Sequence, residues 1–591
     1  MNLSTLKTAF KFPKKTPVAA EKFKTGNVPT PERASHAAQR IQSPEDFAVV
    51  ATELSLRPVQ ACQWIKRCPK DLKADLMLHL VANCKPALDH LPKEARASFR
   101  ASLRWAGKHL IQHRHAEFAQ FVQASPKWAR RKVASICLEL PQAISPNEAV
   151  PLMRAAGMTD FDIHQAILRA SQHIAESLPD GVRGAMEWYE VAHDLSSSAV
   201  GGACRAQLHS PQMIVFGPDV LNLNMKVQRP MIACYQLATQ FARDVGKQSL
   251  HMKHFSSQEA IAKHVEITRY SDTIRYASLA GENILLSNHD LGPILSGQIQ
   301  GMRNREESQC AVVVKVCTPI RGLHVMTLAL DMLPSRRACV VTLFDPYRTN
   351  VVVRHLVDCD DPLQGITLHS YIDACITPEG LSSGEIVAHD GIVLLHLFGT
   401  SHPAGALPQH KSSVALKIDG NCPMNAESFF FLMENNYAAA IKDRAESLLD
   451  TSDHNTLDEI LTASVEGFSN SLGAALELGN ADAIVQLREL LTKQNSTALT
   501  ATLTLQAAHE LIKACINGHE SAVRAFIGIA RTLPLDERFE ILKRCRSIAG
   551  GFPYSMRGYQ QQFPPSYFDI KGTLSDDVKD ELDAVLSGKY D

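Results

Sequence analysis

The chain has 591 residues, 45% hydrophobic and 21% charged, which is typical of a globular protein with three or four domains. No apolar run reaches the roughly 18 residues that a membrane-spanning helix requires, and the N-terminus lacks the apolar segment of a secretory signal peptide. The 14 cysteines have no regular spacing and form no Cys-x-x-Cys pair, so we expect no disulfide framework, metal site or cofactor.

The first 40 residues are rich in lysine and contain no acidic residue before Glu21. This pattern fits a disordered tail, a mitochondrial presequence or the unstructured start of a bacterial type III secreted protein. Residues 1–135 carry 24 Lys and Arg against 10 Asp and Glu. That excess indicates either a solvated helical surface or attraction to an acidic partner. Because no aromatic-interleaved basic motif is present, we do not expect nucleic-acid binding.

Residues 41–204 have the pattern of a helical bundle. Ser43-Pro44, Ser125-Pro126 and Ser145-Pro146 each place a capping serine before a proline, which is typical of a helix start. Few strand signals occur in this segment.

Residues 205–405 have a different pattern, in which a short strand and one helix precede several apolar strands. Met213–Phe216 is the strand candidate, and Pro230–Val245 has the apolar face of a helix. The later strand candidates are 311–317, 322–330, 338–345, 350–353 and 392–397. A helix followed by an antiparallel sheet predicts an α+β domain.

Residues 425–570 repeat themselves. The segment 472–485 matches 511–524, with Gly479 and Gly518 at equivalent positions, and 430–441 is a weaker copy. The pattern resembles degenerate ankyrin repeats, although plain helical hairpins remain an alternative. Ankyrin stacks generally bind proteins, so this segment is a candidate recruitment surface.

One predicted hairpin would bring a histidine and a carboxylate together. If the turn between 322–330 and 338–345 is centred on Pro334 and Ser335, His324 lies directly opposite Asp345. Opposed residues have Cβ atoms about 4.5–5.5 Å apart, a separation at which a carboxylate can orient an imidazole.

Cys234 lies in the first turn of the predicted helix Pro230–Val245. The partial positive charge of a helix N-terminus stabilises a thiolate and lowers a thiol's pKa. Alone, a cysteine on an apolar helix is usually a small core residue. With His324 and Asp345, Cys234 completes the Cys-His-Asp set of a papain-type hydrolase.

Such a hydrolase also needs a donor for the developing oxyanion. Gln228 precedes Cys234 by six residues and is one candidate, together with the Cys234 backbone N–H. Asn224 and Asn222 are the competing side chains.

The segment 220–226, Cys234, Gly322-Leu-His324 and Phe344-Asp345-Pro346 together resemble the Shigella enterotoxin-two family of type III effectors, which includes EspL and the OspD proteins. A more remote similarity is to YopT-like and AvrPphB-like cysteine proteases. The resemblance implies a papain-like protease domain at 205–405, followed by ankyrin-like repeats. The family's triad falls on Cys234, His324 and Asp345.

The resemblance implies a cysteine protease that a bacterium secretes into the host cytoplasm, where it cleaves host signalling proteins, which we expect the C-terminal repeats to recruit. A secretion chaperone is a possible partner of residues 1–40. Acyl transfer through the same thioester is a variant of this chemistry. The alternatives are a non-enzymatic scaffold that binds host proteins and a transferase that modifies them.

Overall fold

A computed structural model describes most of the chain outside the first 69 residues. The described ranges are 70–178, 183–198, 211–215, 232–265, 282–318, 322–361, 363–374, 391–398, 416–450, 454–464, 470–551 and 574–588, with isolated residues 46, 62, 65, 66 and 388. The chain divides into two compact units, Met1–Thr159 and Asp160–Asp591. The four-segment division inferred from the sequence stays a prediction.

The described part of the first unit is helical. Its helices, α1–α5, are Lys70–Asp89, Lys93–His113, His115–Ala124, Lys127–Ala134 and Pro146–Ala155. The start predicted at Ser145-Pro146 is confirmed, because Ser145 and Glu148 form a capping box around Pro146. The start predicted at Ser43-Pro44 lies outside the described residues.

The second unit begins with two helices, α6 (Asp160–Ser177) and α7 (Met186–Ser198), and then builds one sheet. The strands β1–β8 are Gln212–Val215, Glu282–Ser287, Gln309–Thr318, Gly322–Met332, Ala338–Phe344, Val351–Asp358, Ile392–Phe398 and Leu416–Ile418. Their order is β1-β6-β5-β4-β3-β7-β2-β8, antiparallel throughout except between β2 and β8. The α+β class is therefore confirmed.

Helices cover both faces of the sheet. On one face, α8 (Cys234–Gly246) packs Phe241 and Val245 against Val313 and Phe344. Helix α9 (Gln258–His264) follows it in the chain. On the other face, α10 (Leu291–Asn304) and α11 (Leu368–Ile372) cover a second apolar cluster. The central strands are buried on both sides, which explains why their sequences are almost continuously apolar.

The register predicted for the β4–β5 hairpin is wrong by two residues. The predicted turn centre at Pro334 and Ser335 would place Leu328 opposite Val341 and Phe344 opposite Val325. In the structure Leu328 pairs with Leu343, and Phe344 pairs with Thr327. Arg336 adopts a left-handed φ of 58° in the turn, which shifts the turn centre one residue beyond Pro334 and Ser335. Because side chains alternate with a period of two, a shift of two residues leaves every side chain on its predicted face.

The C-terminal part of the second unit is a stack of helices, which continue the numbering as α12–α21. They are Ala426–Glu434, Ala438–Asp450, His454–Thr462, Ser471–Leu478, Ala481–Gln494, Thr497–Gln506, Ala508–Asn517, Glu520–Ala530, Leu535–Gly551 and Asp576–Ser587. Helix α12 packs on α15 and α15 on α18, while α13 packs on α16 and α16 on α19. The internal repeat inferred from the sequence is thus a structural repeat.

Each repeat contains a third helix as well. Helices α14, α17 and α20 follow the three helix pairs, and each packs on the next. An ankyrin repeat has two helices and a β-turn, so the additional helix departs from that pattern. Across the described ranges, no helix combines the length and apolarity needed to cross a bilayer.

Candidate active site

Cys234 is the first residue of α8, and is half-buried. The helix begins later than the predicted Pro230, which itself lies outside the described residues. The backbone N–H of Ala233, the N-cap residue, donates a hydrogen bond of 2.8 Å to the Gln236 side chain. The thiol therefore lies where the unpaired N–H groups of the first turn create partial positive charge.

Two contacts fix α8 relative to the hairpin. The rings of Phe241 and Phe344 stack with centroids 4.4 Å apart, and Phe344 directly precedes Asp345. The Thr327 hydroxyl donates a 2.7 Å hydrogen bond to the Ala238 carbonyl. Both contacts join α8 to the hairpin. They hold the helix against β4, which carries His324, and against the end of β5, which directly precedes Asp345.

His324 and Asp345 are brought together, although they are not opposed in the observed register. Nε2 of His324 lies 2.9 Å from Oδ1 of Asp345. The same carboxylate oxygen accepts a 2.9 Å hydrogen bond from the Tyr347 backbone N–H, since Asp345 caps the short 3-10 turn Pro346–Arg348. Both side chains are buried, and Asp345 is thereby fixed from two directions.

The Tyr347 ring stacks on the His324 imidazole, with centroids 3.9 Å apart and planes 5° from parallel. Sequence reasoning missed this residue. The signal was present in Asp345-Pro346-Tyr347, because a short turn after an aspartate cap returns the chain toward the strand it has just left.

The pKa of His324 rises to about 9. Complete burial lowers it, but the Asp345 charge and hydrogen bond raise it more, with a further contribution from the Cys234 thiol. The imidazole is therefore protonated at neutral pH. Helix α8 packs on β4 and on the turn Pro346–Arg348, which places its first residue, Cys234, near the ring.

Nε2 is taken by Asp345, so Nδ1 is the ring nitrogen left for the thiol. Nδ1 is buried and makes no hydrogen bond of normal geometry to any described residue. Such a loose contact is common for catalytic hydrogen bonds before a substrate binds. A proton can pass between the Cys234 sulfur and Nδ1 of His324 once these two atoms approach to hydrogen-bond distance.

The other described cysteines have pKa values that disfavour the thiolate. Burial raises the pKa of each of the ten other described thiols, at positions Cys62, Cys84, Cys137, Cys310, Cys317, Cys339, Cys359, Cys422, Cys515 and Cys545. All eleven are free thiols. A thiol with a raised pKa is a weak nucleophile at neutral pH, so these ten thiols are poorly suited to nucleophilic attack.

The oxyanion donors named from the sequence, Gln228 and Asn224 with Asn222 as competitor, lie outside the described residues. Their role stays a prediction.

We compared the chain with known proteins, solved structures and protein families. No curated protein and no solved structure matches the chain. Residues 220–465, less than half of the chain, match the family model described as ShET2 enterotoxin, N-terminal region. This region contains Cys234, His324 and Asp345. The match supports a Shigella enterotoxin-two-like effector family for this part of the chain and suggests a secreted bacterial virulence factor.

Proposed function

We propose that the second unit carries a cysteine protease that uses Cys234 as nucleophile, His324 as general acid and base, and Asp345 as the residue that positions His324. The observation that carries the proposal is the buried imidazole held at 2.9 Å by Asp345, with the Cys234 thiol beside it. A nucleophile, a base and an orienting carboxylate in this relation form the papain-type arrangement.

The protonation state of His324 defines its role. With a pKa of about 9, the ring holds a proton at neutral pH. The thiolate attacks the scissile carbonyl carbon to form a tetrahedral intermediate. His324 then donates its proton to the leaving amine as the C–N bond breaks and a thioester forms. Water, deprotonated by the now neutral His324, hydrolyses the thioester. This step releases the carboxylic acid product and restores the thiolate and the protonated imidazole.

Asp345 acts through His324. Its contact with Nε2 directs Nδ1 toward the thiol, and its negative charge stabilises the imidazolium. Tyr347 restricts the ring from its face by stacking. Both residues are buried, so water competes little with these contacts.

The helical repeats are the proposed recruitment surface for a host protein, as in an ankyrin-like stack. Leu535 and Phe539 lie one turn apart on α20, and they are 47% and 51% exposed. Residues four apart on a helix lie on the same face, so these two side chains form one apolar surface. Apolar side chains exposed together are typical of protein-binding sites.

We further propose that a type III system secretes the protein into the host cytoplasm and that a chaperone binds residues 1–40. The family match supports the virulence role, and the N-terminal residues lie outside the described part of the chain.

The test is to incubate the full chain with host-cell extract and to identify new protein N-termini by mass spectrometry. We expect cleavage products with the wild type that are absent with Cys234→Ala. Phe539→Asp is expected to reduce cleavage while the alkylation rate of Cys234 stays unchanged. Absence of any Cys234-dependent product, together with retention of host proteins on the repeats, would favour the scaffold alternative.

A further inference from the structure

A second cluster of chemistry-bearing side chains lies at the other end of the helix that begins with Cys234. Asp244 is near the end of α8, His254 is in the 3-10 turn Met252–Phe255, and His264 is the last residue of α9. One ligand atom from each lies within 4.8 Å of the others. We propose that these three residues bind one divalent transition-metal ion, with zinc as the expected occupant.

The carboxylate is already oriented for such a role. Gln240 donates a 2.9 Å hydrogen bond to Oδ1 of Asp244, which leaves Oδ2 directed at Nε2 of His264, 2.6 Å away. Metal-binding carboxylates are typically held by an outer hydrogen bond of this kind. Asp244 is only 2% exposed, so its position is fixed by packing as well.

His254 supplies the second imidazole. Its ring stacks on His264 with centroids 3.9 Å apart, and its Nδ1 is buried without a hydrogen-bond partner among the described residues. A buried nitrogen without a hydrogen-bond partner destabilises the fold. The hydrogen bond between Asp244 and His264 does not involve this nitrogen and so does not offset that cost. A bound cation would remove that cost by accepting the nitrogen lone pair.

The donor set fits zinc. Two imidazole nitrogens and one carboxylate oxygen form a three-ligand set that zinc uses in proteins with water as the fourth ligand. Ligand atoms about 2.0–2.1 Å from a tetrahedral ion lie roughly 3.3 Å from one another. The present separations, from 2.6 Å to at most 4.8 Å, bracket that value. The His264 side chain is 25% exposed, which gives the ion and a water access.

The sequence alone did not predict these three ligands. Each follows the previous one by ten residues, a longer spacing than that of common zinc motifs. Bound metal would fasten the last turn of α8 to the two segments that follow it. The proposal does not rest on the thiol chemistry of Cys234, since the two sites use different residues of the helix.

The test is a metal titration of the full chain after removal of metals with a chelator. Added Co²⁺ is expected to give the visible absorption of a four-coordinate nitrogen and oxygen site, without sulfur charge-transfer bands, and one equivalent of Zn²⁺ should abolish it. His254→Gln and Asp244→Asn should each lose this signal. His289→Gln, which alters an exposed histidine of the same unit, should retain it.

A thermal measurement covers the case in which a variant folds poorly. Zinc is expected to raise the unfolding temperature of the wild type and of His289→Gln, and not that of His254→Gln, because a ligand stabilises only the state that binds it. Equal binding by His254→Gln and the wild type, or no cobalt signal in a folded wild type, would overturn the proposal.

Discussion

His324 keeps a positive charge inside an apolar sheet, and the residues around it explain how. Burial alone would favour the neutral ring, because a charge loses hydration when it leaves water. Asp345 reverses that preference by lying 2.9 Å from Nε2, and the pKa reaches about 9. His324 and Asp345 are therefore one electrostatic unit, in which removal of the carboxylate would lower the pKa of the imidazole.

The variant Asp345→Asn tests this electrostatic coupling. The folded-state pKa of about 9 lies above the ordinary value of 6.5, so protonated His324 contributes stability. That contribution is complete below pH 6.5 and is lost as pH rises through 9. We expect the wild type to exceed Asp345→Asn in unfolding temperature most strongly near pH 6, with the difference shrinking toward pH 10.

The matched control is Asp576→Asn, whose carboxylate is 94% exposed. It should show no pH-dependent difference from the wild type over the same range. A difference between Asp345→Asn and the wild type that stays constant from pH 6 to pH 10 would contradict the assigned charge on His324.

At the scale of elements, the hairpin shows what a sequence can and cannot establish. The apolar runs of β4 and β5 predicted both strands, and their alternation placed His324 and Asp345 on one face. The register depended on the turn, where Arg336 adopts a left-handed conformation that its residue type does not signal. The two-residue shift in register left His324 and Asp345 on the same face of the sheet. The turn after Asp345 brings its carboxylate to His324.

The ends of two helices in the repeats were predictable from glycine residues in the sequence. Gly479 and Gly518 adopt left-handed φ angles of 77° and 72°, as expected of helix-terminating glycines, and Asn436 takes the same conformation at 57° in the first repeat. Helices α14, α17 and α20 were not predicted separately, because the ankyrin pattern that the sequence resembles has two helices in each repeat.

Gly479→Ala tests the repeat geometry. The left-handed conformation costs an L-residue about 1–2 kcal/mol. The new Cβ would also lie 2.8 Å from Nδ1 of His519. We expect a clear fall in the free energy of unfolding by chemical denaturation. Gly420→Ala is the control, because its Cβ would meet no atom within 4 Å. Equal stability of the two variants would contradict the proposed strain.

At the scale of the whole second unit, the sheet and the repeats share one apolar core. Leu285, Ile392 and Leu394 of the sheet belong to the same cluster as the helices of the repeats. Within it, Lys315 of β3 makes a 2.7 Å ion pair with Glu434, the last residue of α12. The pair is almost completely buried, so it joins the sheet and the repeats at a fixed position.

Lys315→Met is expected to destabilise the unit strongly, because it removes the cation that balances the buried Glu434 charge. Breaking a buried pair in this way costs about 3–5 kcal/mol. The double variant Lys315→Met, Glu434→Leu should recover much of the loss, since no buried charge remains. Thermal unfolding of the full chain measures both. A double variant less stable than the single one would show that the pair is not the cause.

The central claim is that Cys234 is a nucleophile activated by His324, and the most direct measurement is its rate of alkylation. The full chain is treated with iodoacetamide at pH 6, and the labelled positions are mapped by mass spectrometry over time. We predict that Cys234 reacts far ahead of the other 13 cysteines, that His324→Ala abolishes this lead, and that His289→Ala retains it. Slow and uniform labelling of the folded wild type, or an unchanged rate in His324→Ala, would contradict the account.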